Sequence, residues 1–203
     1  MTDPRIVELH ERIVEALTEA GRTSLYLADA DETDPRYRSY GVRMPAVRAI
    51  WREVRPSVQA LDDDEKLDLA TVLVESGFGE QQTIANLVLG LMAGRFEAEH
   101  LTLLDELVHH LHGWSKVDTF ATGIIKQLLD RFPNEIVELA RAWNRDPDSW
   151  PRRLSVVIFT RSVAASGRFT DVALELCDNL DGDTHLHVRK GVAWTRKDLA
   201  KAK

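Results

Sequence analysis

The chain has 203 residues, a formal net charge of −7 and one cysteine, which is enough length for a domain with a buried core but excludes an internal disulfide. No stretch approaches the roughly 18 uninterrupted apolar residues of a membrane helix, and the first residues lack a secretion signal. We therefore expect one cytoplasmic domain over residues 1–203, acting as a monomer. The acidity argues against a polyanionic partner, but residues 151–203 hold 10 Lys+Arg against 6 Asp+Glu, so a basic surface near the C-terminus fits the composition.

Nearly every segment carries apolar residues at i, i+3, i+4 and i+7, and no period-2 strand pattern occurs, so the sequence predicts an all-α fold. The first helix begins after Asp3, with Pro4 in its first turn, and ends at Gly21. Further helices are predicted over about residues 44–55, 62–76, 80–93, 97–111, 114–131, 134–145, 149–165, 170–180 and 184–200. Residues 28–40 have the charge and proline content of a loop.

Local sequence signals support several of these boundaries. The expected N-cap residues are Asp62, Ser149 and Thr184. Pro133 fits the start of its helix, and glycines that interrupt the apolar pattern are expected at helix ends, namely Gly77, Gly79, Gly94 and Gly167.

A repeat is visible when the predicted helices are aligned. Three x-Arg-Phe motifs, which start at Gly94, Asp130 and Gly167, each close one helix and precede another, at spacings of 36 and 37 residues. Two antiparallel helices per roughly 36 residues are typical of α-solenoids of the HEAT or armadillo kind, in which one helix of each pair lines a concave binding face. The sequence thus predicts such a solenoid, with an irregular helical bundle as the alternative.

Aromatic and charged residues at helical spacings mark a candidate site. Trp114 and Asp118 are i and i+4, so they share one face near a helix N-terminus, where the helix dipole favours a carboxylate. Arg153 lies near the start of the equivalent helix one repeat later, and stacked repeats would place its side chain beside Asp118. Trp150 is expected to pack and Arg152 to point elsewhere. Taken singly, a core tryptophan, a first-turn acid and a surface cation explain these residues as well.

The last predicted helix adds Trp194 and a glycine, Gly191. Glycine inside a helix costs about 1 kcal/mol against alanine, so it suggests a close approach by another helix or a ligand. Basic residues of the same helix could contact phosphates or form a solvated face, namely Arg189, Lys190, Arg196 and Lys197.

The histidines give no sign of a metal site. His109, His110 and His112 surround a predicted helix end, but no cysteine or carboxylate accompanies them at ligand spacing. His185 and His187 are i and i+2 on a predicted helix and are expected to diverge.

Three ordered motifs carry a family resemblance: WSKVD from Trp114 to Asp118, WPRR ending at Arg153, and KGVAW ending at Trp194. They resemble the AlkD-like DNA alkylation repair proteins, which are DNA glycosylases built from HEAT-like repeats. The segment GVRMPAVR, which ends at Arg48, is similar to the G-hydrophobic-basic-x-P-x-x-R segment of that family. The resemblance covers roughly residues 20–200. It implies excision of N3- or N7-alkylated purines from double-stranded DNA, with no metal or other cofactor.

The resemblance also implies roles for the residues that match. The catalytic set would be Trp114, Asp118, Arg153 and Trp194. Asp118 would stabilise an oxocarbenium-like sugar and orient the attacking water. The tryptophans would face the cationic base, and Arg153 would hold a backbone phosphate. The family grips the lesion without a base-flipping pocket. Residues expected to contact DNA are Arg153, Arg189, Lys190, Arg196, Arg43, Arg48 and Tyr26.

Two other functions remain open at this stage. One is a non-catalytic HEAT-repeat binder of damaged or branched DNA. The other is a protein-interaction scaffold, for which net acidity would be natural. Strongly salt-dependent binding to duplex DNA would indicate either the glycosylase or the non-catalytic DNA binder, and its absence would indicate the scaffold.

Overall fold

The structure, a computed structural model, describes residues 3–24 and 34–201, and all regular secondary structure in these ranges is helical. The all-α prediction is confirmed. The first five helices are α1 (Pro4–Arg22), α2 (Met44–Gln59), α3 (Asp63–Glu75), α4 (Gly79–Gly90) and α5 (His100–Val108). They are followed by α6 (Trp114–Phe120), a π-helical turn (Ala121–Ile125), α7 (Lys126–Arg131), α8 (Pro133–Trp143), α9 (Ser149–Val157), α10 (Ser162–Ser166), α11 (Thr170–Asn179) and α12 (Leu186–Lys201).

The chain divides into two compact units. The first comprises Met1–Met92 and His110–Lys116, and the second comprises Ala93–His109 and Val117–Lys203. The chain enters the second unit after Met92, returns to the first at His110, and enters the second again within α6. The prediction of a single HEAT-like domain over residues 1–203 stays a prediction.

The first unit is built on amphipathic helices that pack α1 against α2 and α3. Every third or fourth residue of α1 is buried, namely Ile6, Leu9, Ile13 and Leu17. The start of α3 is fixed by a capping box, in which Asp62 accepts the Glu65 N–H and the Glu65 carboxylate accepts the Asp62 N–H. The prediction of Asp62 as an N-cap is therefore confirmed.

The second unit has α9 in its centre, packed against α8, α11 and α12. Apolar residues of α9 are buried on nearly every side, including Trp150, Leu154, Val156 and Val157. Cys177 of α11 is fully buried, and this burial raises the pKa of its thiol to about 11, so it is a core thiol. Among the helices of the described ranges, none is long and apolar enough to cross a membrane.

Most predicted helix bounds agree with the structure within four residues. The clear exception is the predicted helix over 149–165, which ends at Val157 and resumes as α10 only at Ser162. The interruption is stabilised from another helix, because the Arg161 N–H donates to Asp198 Oδ2 of α12 at 2.9 Å. The N-cap of α9 is Asp148 rather than Ser149, and Gly79 begins α4 rather than ending a helix.

A histidine at the end of α5 gives the second unit a pH-dependent contact. His109 Nε2 lies 3.0 Å from Asp146 Oδ2, and its Nδ1 lies 3.0 Å from the Asp105 carbonyl oxygen. Burial by itself lowers the pKa of His109, but the contacts with Asp146 and Asp105 outweigh it, so the pKa is raised above 6.5.

Because the folded-state pKa of His109 is raised, the stabilisation is complete below the unfolded-state value and is lost as the pH rises through the folded-state value. We expect His109→Gln to lower the free energy of unfolding at pH 5.5, by less than about 1 kcal/mol for a half-exposed pair, and to leave it unchanged at pH 9. Urea unfolding at the two pH values measures this difference. An equal loss at both would show that the charged ring does not contribute.

Candidate functional site

The centre of the candidate site is an ion pair between α6 and α9. Arg153 Nε donates to Asp118 Oδ1 and Arg153 Nη2 donates to Asp118 Oδ2, both at 2.8 Å. The Arg153 side chain is 5% exposed and that of Asp118 is 15% exposed, so this is a largely buried, bidentate pair. The structure brings these two residues together as the repeat spacing predicted.

The same arginine also binds α12. Arg153 Nη1 donates to the carbonyl oxygen of His187. A Cβ added at Gly191 would lie 3.4 Å from Cγ and Nη1 of Arg153 and 3.4 Å from Cγ2 of Val157. α12 therefore approaches α9 closely at Gly191, which confirms the close approach that a glycine inside a helix suggested. The Thr195 hydroxyl strengthens the same contact by donating to the Val156 carbonyl oxygen at 2.9 Å.

This packing predicts a sharp size limit at Gly191. A lone Cβ meets its neighbours at ordinary van der Waals distance, so Gly191→Ala should be tolerated and gain up to about 1 kcal/mol of helix propensity. Gly191→Val adds two methyl groups against Arg153 and Val157, and overpacking of this kind costs about 1–3 kcal/mol. Urea unfolding of the two variants checks this. Equal free energies of unfolding for the two variants would mean that α9 and α12 can move apart without loss of stability.

Trp194 lies one turn after Gly191 on α12 and is half-buried. The guanidinium carbon of Arg161 lies 5.3 Å from the centroid of its ring, within the range of a cation-π contact. The sequence did not single out Arg161, because the helical pattern of residues 149–165 continues through it. Its backbone conformation and its contact with α12 become visible only in the fold.

Trp150 is a core residue, as expected, and packs against two histidines. Its ring centroid lies 5.5 Å from those of His185 and His187, which are 5.8 Å from each other. The expectation that the two histidine rings diverge is wrong. His185 precedes α12, which begins at Leu186, so helical i, i+2 geometry does not apply. Arg152 points elsewhere, as expected, and pairs with Asp183 at 2.7 Å.

Trp114 is the first residue of α6 and 50% exposed. It belongs to the first unit, whereas Asp118 of the same helix belongs to the second. Gly113 precedes it with a φ of +88°, and a Cβ there would lie 3.1 Å from the Tyr37 ring, so both backbone and space require glycine. The helix is therefore started by a turn that leaves the tryptophan at the surface.

Lys116 of the same motif is directed into the first unit. Its Nζ donates to the Thr83 hydroxyl at 2.8 Å. Burial lowers the pKa of this lysine, although the nearby carboxylate of Glu80 opposes the shift. Glu80 is itself buried and accepts hydrogen bonds from the Ser39 hydroxyl and from two backbone N–H groups. This lysine is thus part of the packing of its unit.

The residues predicted to contact DNA differ in their surroundings. Lys190, Arg43 and Arg48 are exposed. Arg189 is exposed and donates to the Thr184 carbonyl oxygen. Arg196 pairs with Asp178 and Asp181, both at 2.6 Å, which balances its charge locally. Tyr26 lies outside the described residues. Within residues 3–24 and 34–201, no group of three or more His, Cys, Asp or Glu side chains is placed to hold a metal ion.

The chain was compared with models of known protein families. The family model described as DNA alkylation repair enzyme matches residues 28–203, so the chain belongs to the DNA alkylation repair enzyme family. The resemblance seen in the three motifs is thereby confirmed. Membership implies a role in DNA alkylation repair with DNA as the partner, and it supports an enzyme. A search of curated proteins gives no significant match.

Proposed function

We propose that the protein is a DNA glycosylase that excises positively charged N3- and N7-alkylated purines from duplex DNA, the first step of base excision repair. The observation that carries this proposal is the buried, bidentate Asp118–Arg153 pair beside the helix of Trp194. A partly buried carboxylate that is held in one orientation, next to the helix that carries Trp194, suits a reaction that develops positive charge on a sugar.

The reaction needs an ionised carboxylate to stabilise positive charge on the sugar more than it needs a general acid to protonate the base. Alkylation at N3 or N7 puts a formal positive charge on the purine, so the base leaves without prior protonation. Its departure leaves an oxocarbenium-like deoxyribose, as in glycoside hydrolysis. Asp118 stabilises this charge and orients the attacking water. The water oxygen bonds to C1′, the C1′–N bond electrons leave with the purine, and the proton passes to the carboxylate or solvent.

In this mechanism Arg153 first positions the carboxylate. Three of its five guanidinium N–H groups are engaged, two by Asp118 and one by the His187 carbonyl oxygen. The two that remain are assigned to a backbone phosphate, which would approach through the 5% of the side chain that is exposed. We thus assign Arg153 two tasks, orientation of Asp118 and contact with the DNA backbone, of which sequence reasoning anticipated the second.

Trp194, in the same unit as Asp118, is proposed to attract the lesion, and the same role for Trp114 remains a prediction from the sequence. Trp114 is half exposed and Trp194 is partly exposed, so both rings are available to a cationic base or its deoxyribose. A cation-π contact contributes up to about 2 kcal/mol when desolvated. Neutral adducts lack both this attraction and the leaving-group activation, which accounts for selectivity for cationic lesions.

DNA is proposed to lie along α-solenoid repeats without a base-flipping pocket. The 36-residue spacing of the x-Arg-Phe motifs supports HEAT-like helix pairs. Of the predicted phosphate contacts, Lys190, Arg43, Arg48 and Arg189 are favoured by their exposure, and Arg196 is disfavoured by its two carboxylate partners. Tyr26, a monomeric state and a cytoplasmic location remain predictions from the sequence.

The direct test is release of free base. Purified protein incubated with methylated duplex DNA should release N7-methylguanine or N3-methyladenine, which chromatography of the soluble fraction detects. A glycosylase of known activity serves as the positive control on the same substrate. No release under conditions where the control is active would overturn the enzymatic proposal.

A second candidate is a non-catalytic binder of damaged or branched DNA. The observation in its favour is that both oxygens of Asp118 are already bound by Arg153, as in an ion pair that serves only the fold. This candidate predicts salt-dependent binding to duplex DNA with no release of base.

A further inference from the structure

The backbone is distorted where α9 and α10 are separated. Arg161 has a φ of 57° and a ψ of −121°, and in residues 3–24 and 34–201 it is the one non-glycine residue with positive φ. This region is unfavourable for a residue with a Cβ, and such conformations concentrate at functional sites. Two hydrogen bonds of the Arg161 main chain stabilise this conformation. The Arg161 N–H donates to Asp198 Oδ2, and the Arg161 carbonyl oxygen accepts from the Ala165 N–H, both at 2.9 Å.

The distortion brings an exposed guanidinium next to Trp194. The Arg161 guanidinium carbon lies 5.3 Å from the Trp194 ring centroid, and the residue is exposed. Asp198 is one turn after Trp194 on α12, so a single helix supplies both the aromatic ring and the carboxylate that holds Arg161. A cleft of about 230 Å³ opens there, lined by Arg161, Ala165, Asp198 and Lys201.

The exposed side of α12 continues this positive charge. Lys190, Lys197 and Lys201 lie at −4, +3 and +7 from Trp194, so at 100° per residue all three are on one side of its ring, and all are exposed. They span about 16 Å along the helix axis. Gly191 and Asp198, on the other side of Trp194, pack against Arg153 and Arg161. Cations therefore flank Trp194 on both sides.

Asp198 cancels only one of the two positive charges that Arg161 and Lys201 bring to the cleft. Its carboxylate accepts the Arg161 N–H and lies 3.6 Å from Lys201 Nζ, so both of its contacts are with residues of the cleft. Arg161 and Lys201 together leave the cleft with a net positive charge. A guanidinium presents two parallel N–H groups, which match the oxygens of a phosphodiester.

We propose that Arg161, with Lys190, Lys197 and Lys201, forms a binding site for the DNA backbone beside Trp194, in which Arg161 binds one phosphate and Asp198 acts as the positioning residue for Arg161. This inference rests on the proposed function, since it adds a phosphate site to the same DNA surface. It gives a reason for a strained arginine where glycine would suit the backbone better.

The test is the salt dependence of binding to an unmodified duplex, followed by fluorescence anisotropy with the full-length protein. Each phosphate contact contributes about 0.9 to the slope of log K against log salt concentration. Arg161→Gln should reduce the magnitude of this slope by about 0.9, and Arg161→Lys, which keeps the charge, should retain it. Arg168→Gln is the matched control, because Arg168 is also an exposed arginine over an aromatic ring, Phe169, but pairs with Asp130.

A further variant separates loss of a phosphate contact from loss of folding. Arg161→Gly removes the charge and suits the positive φ, so it should melt at a higher temperature than Arg161→Gln and show the same reduction in slope. An Arg161→Gln slope equal to that of Arg168→Gln would overturn the phosphate site and leave the proposed function intact. Absence of salt-dependent binding by the unmodified protein would overturn both. The expected slopes without base release would support the site and refute the glycosylase.

Discussion

Replacement of Asp118 by asparagine should reduce excision of N7-methylguanine by about 10²–10³-fold while most of the duplex affinity is retained. Asparagine keeps the shape of the side chain and one oxygen that can accept from Arg153, but it lacks the negative charge that stabilises the oxocarbenium-like sugar. The measurement is a single-turnover rate on a duplex with one methylated base, with affinity determined separately by anisotropy. Unchanged excision would show that the carboxylate has no part in the reaction.

A matched control must carry a similar structural penalty, because Asp118→Asn leaves Arg153 buried without a counter-ion. Asp183→Asn provides it, since Asp183 pairs with Arg152 in the same unit and its side chain is only 6% exposed. Burial raises the pKa of Asp183, but the hydrogen bonds from Arg152 and the His185 N–H prevail and lower it, so this carboxylate is ionised in its pair. We expect Asp183→Asn to lose stability and to keep its excision rate.

Replacement of Arg153 by methionine should lower the free energy of unfolding by about 3–5 kcal/mol, because it leaves Asp118 as an uncompensated buried charge. The double variant Asp118→Leu with Arg153→Met removes both charges and should be markedly more stable than Arg153→Met alone. Urea unfolding of Arg153→Met, of Asp118→Leu and of the double variant gives the coupling free energy between the two side chains. Purely additive losses would mean that the two side chains contribute independently, contrary to the bidentate geometry.

The conservative variant Arg153→Lys separates two tasks of Arg153. If it acts mainly by orienting Asp118, Arg153→Lys should lose excision more than duplex affinity, because lysine keeps the charge but cannot span both carboxylate oxygens. If contact with the DNA backbone dominates, Arg153→Lys should keep most of both excision and affinity, because lysine retains the charge that binds a phosphate. Measurement of both quantities on the same preparation distinguishes these outcomes.

The parts of the fold that follow from local periodicity could be predicted from the sequence. The spacing of apolar residues at i, i+3, i+4 and i+7 predicts the helices, and the spacing of about 35 residues between helix starts predicts Arg153 beside Asp118. Gly191 inside a helix pointed to the close approach of α12 to α9. These features depend on helix geometry and on the spacing of the helices along the chain, both of which can be read from short stretches of sequence.

The features that escaped prediction depend on contacts between distant residues. The apolar run from Val156 to Phe159 continues the pattern of α9, so nothing local signals the interruption, which depends on Asp198 of another helix. The π-helical turn at Ala121–Ile125 likewise leaves the helical periodicity of its surroundings intact. The ion pairs of Arg196 could not be separated from a phosphate-binding role by sequence, because its carboxylate partners lie 15 and 18 residues away.

The central claim, hydrolysis of an N-glycosidic bond, is tested most directly by product analysis in ¹⁸O-labelled water. A duplex carrying a single N7-methylguanine is incubated with excess protein, and the base and sugar products are identified by mass spectrometry. We predict free N7-methylguanine together with an abasic deoxyribose that carries one ¹⁸O at C1′, and formation of both products about 10²–10³-fold more slowly in Asp118→Asn. Recovery of the lesion unchanged, or its conversion to guanine within an intact strand, would contradict the glycosylase assignment.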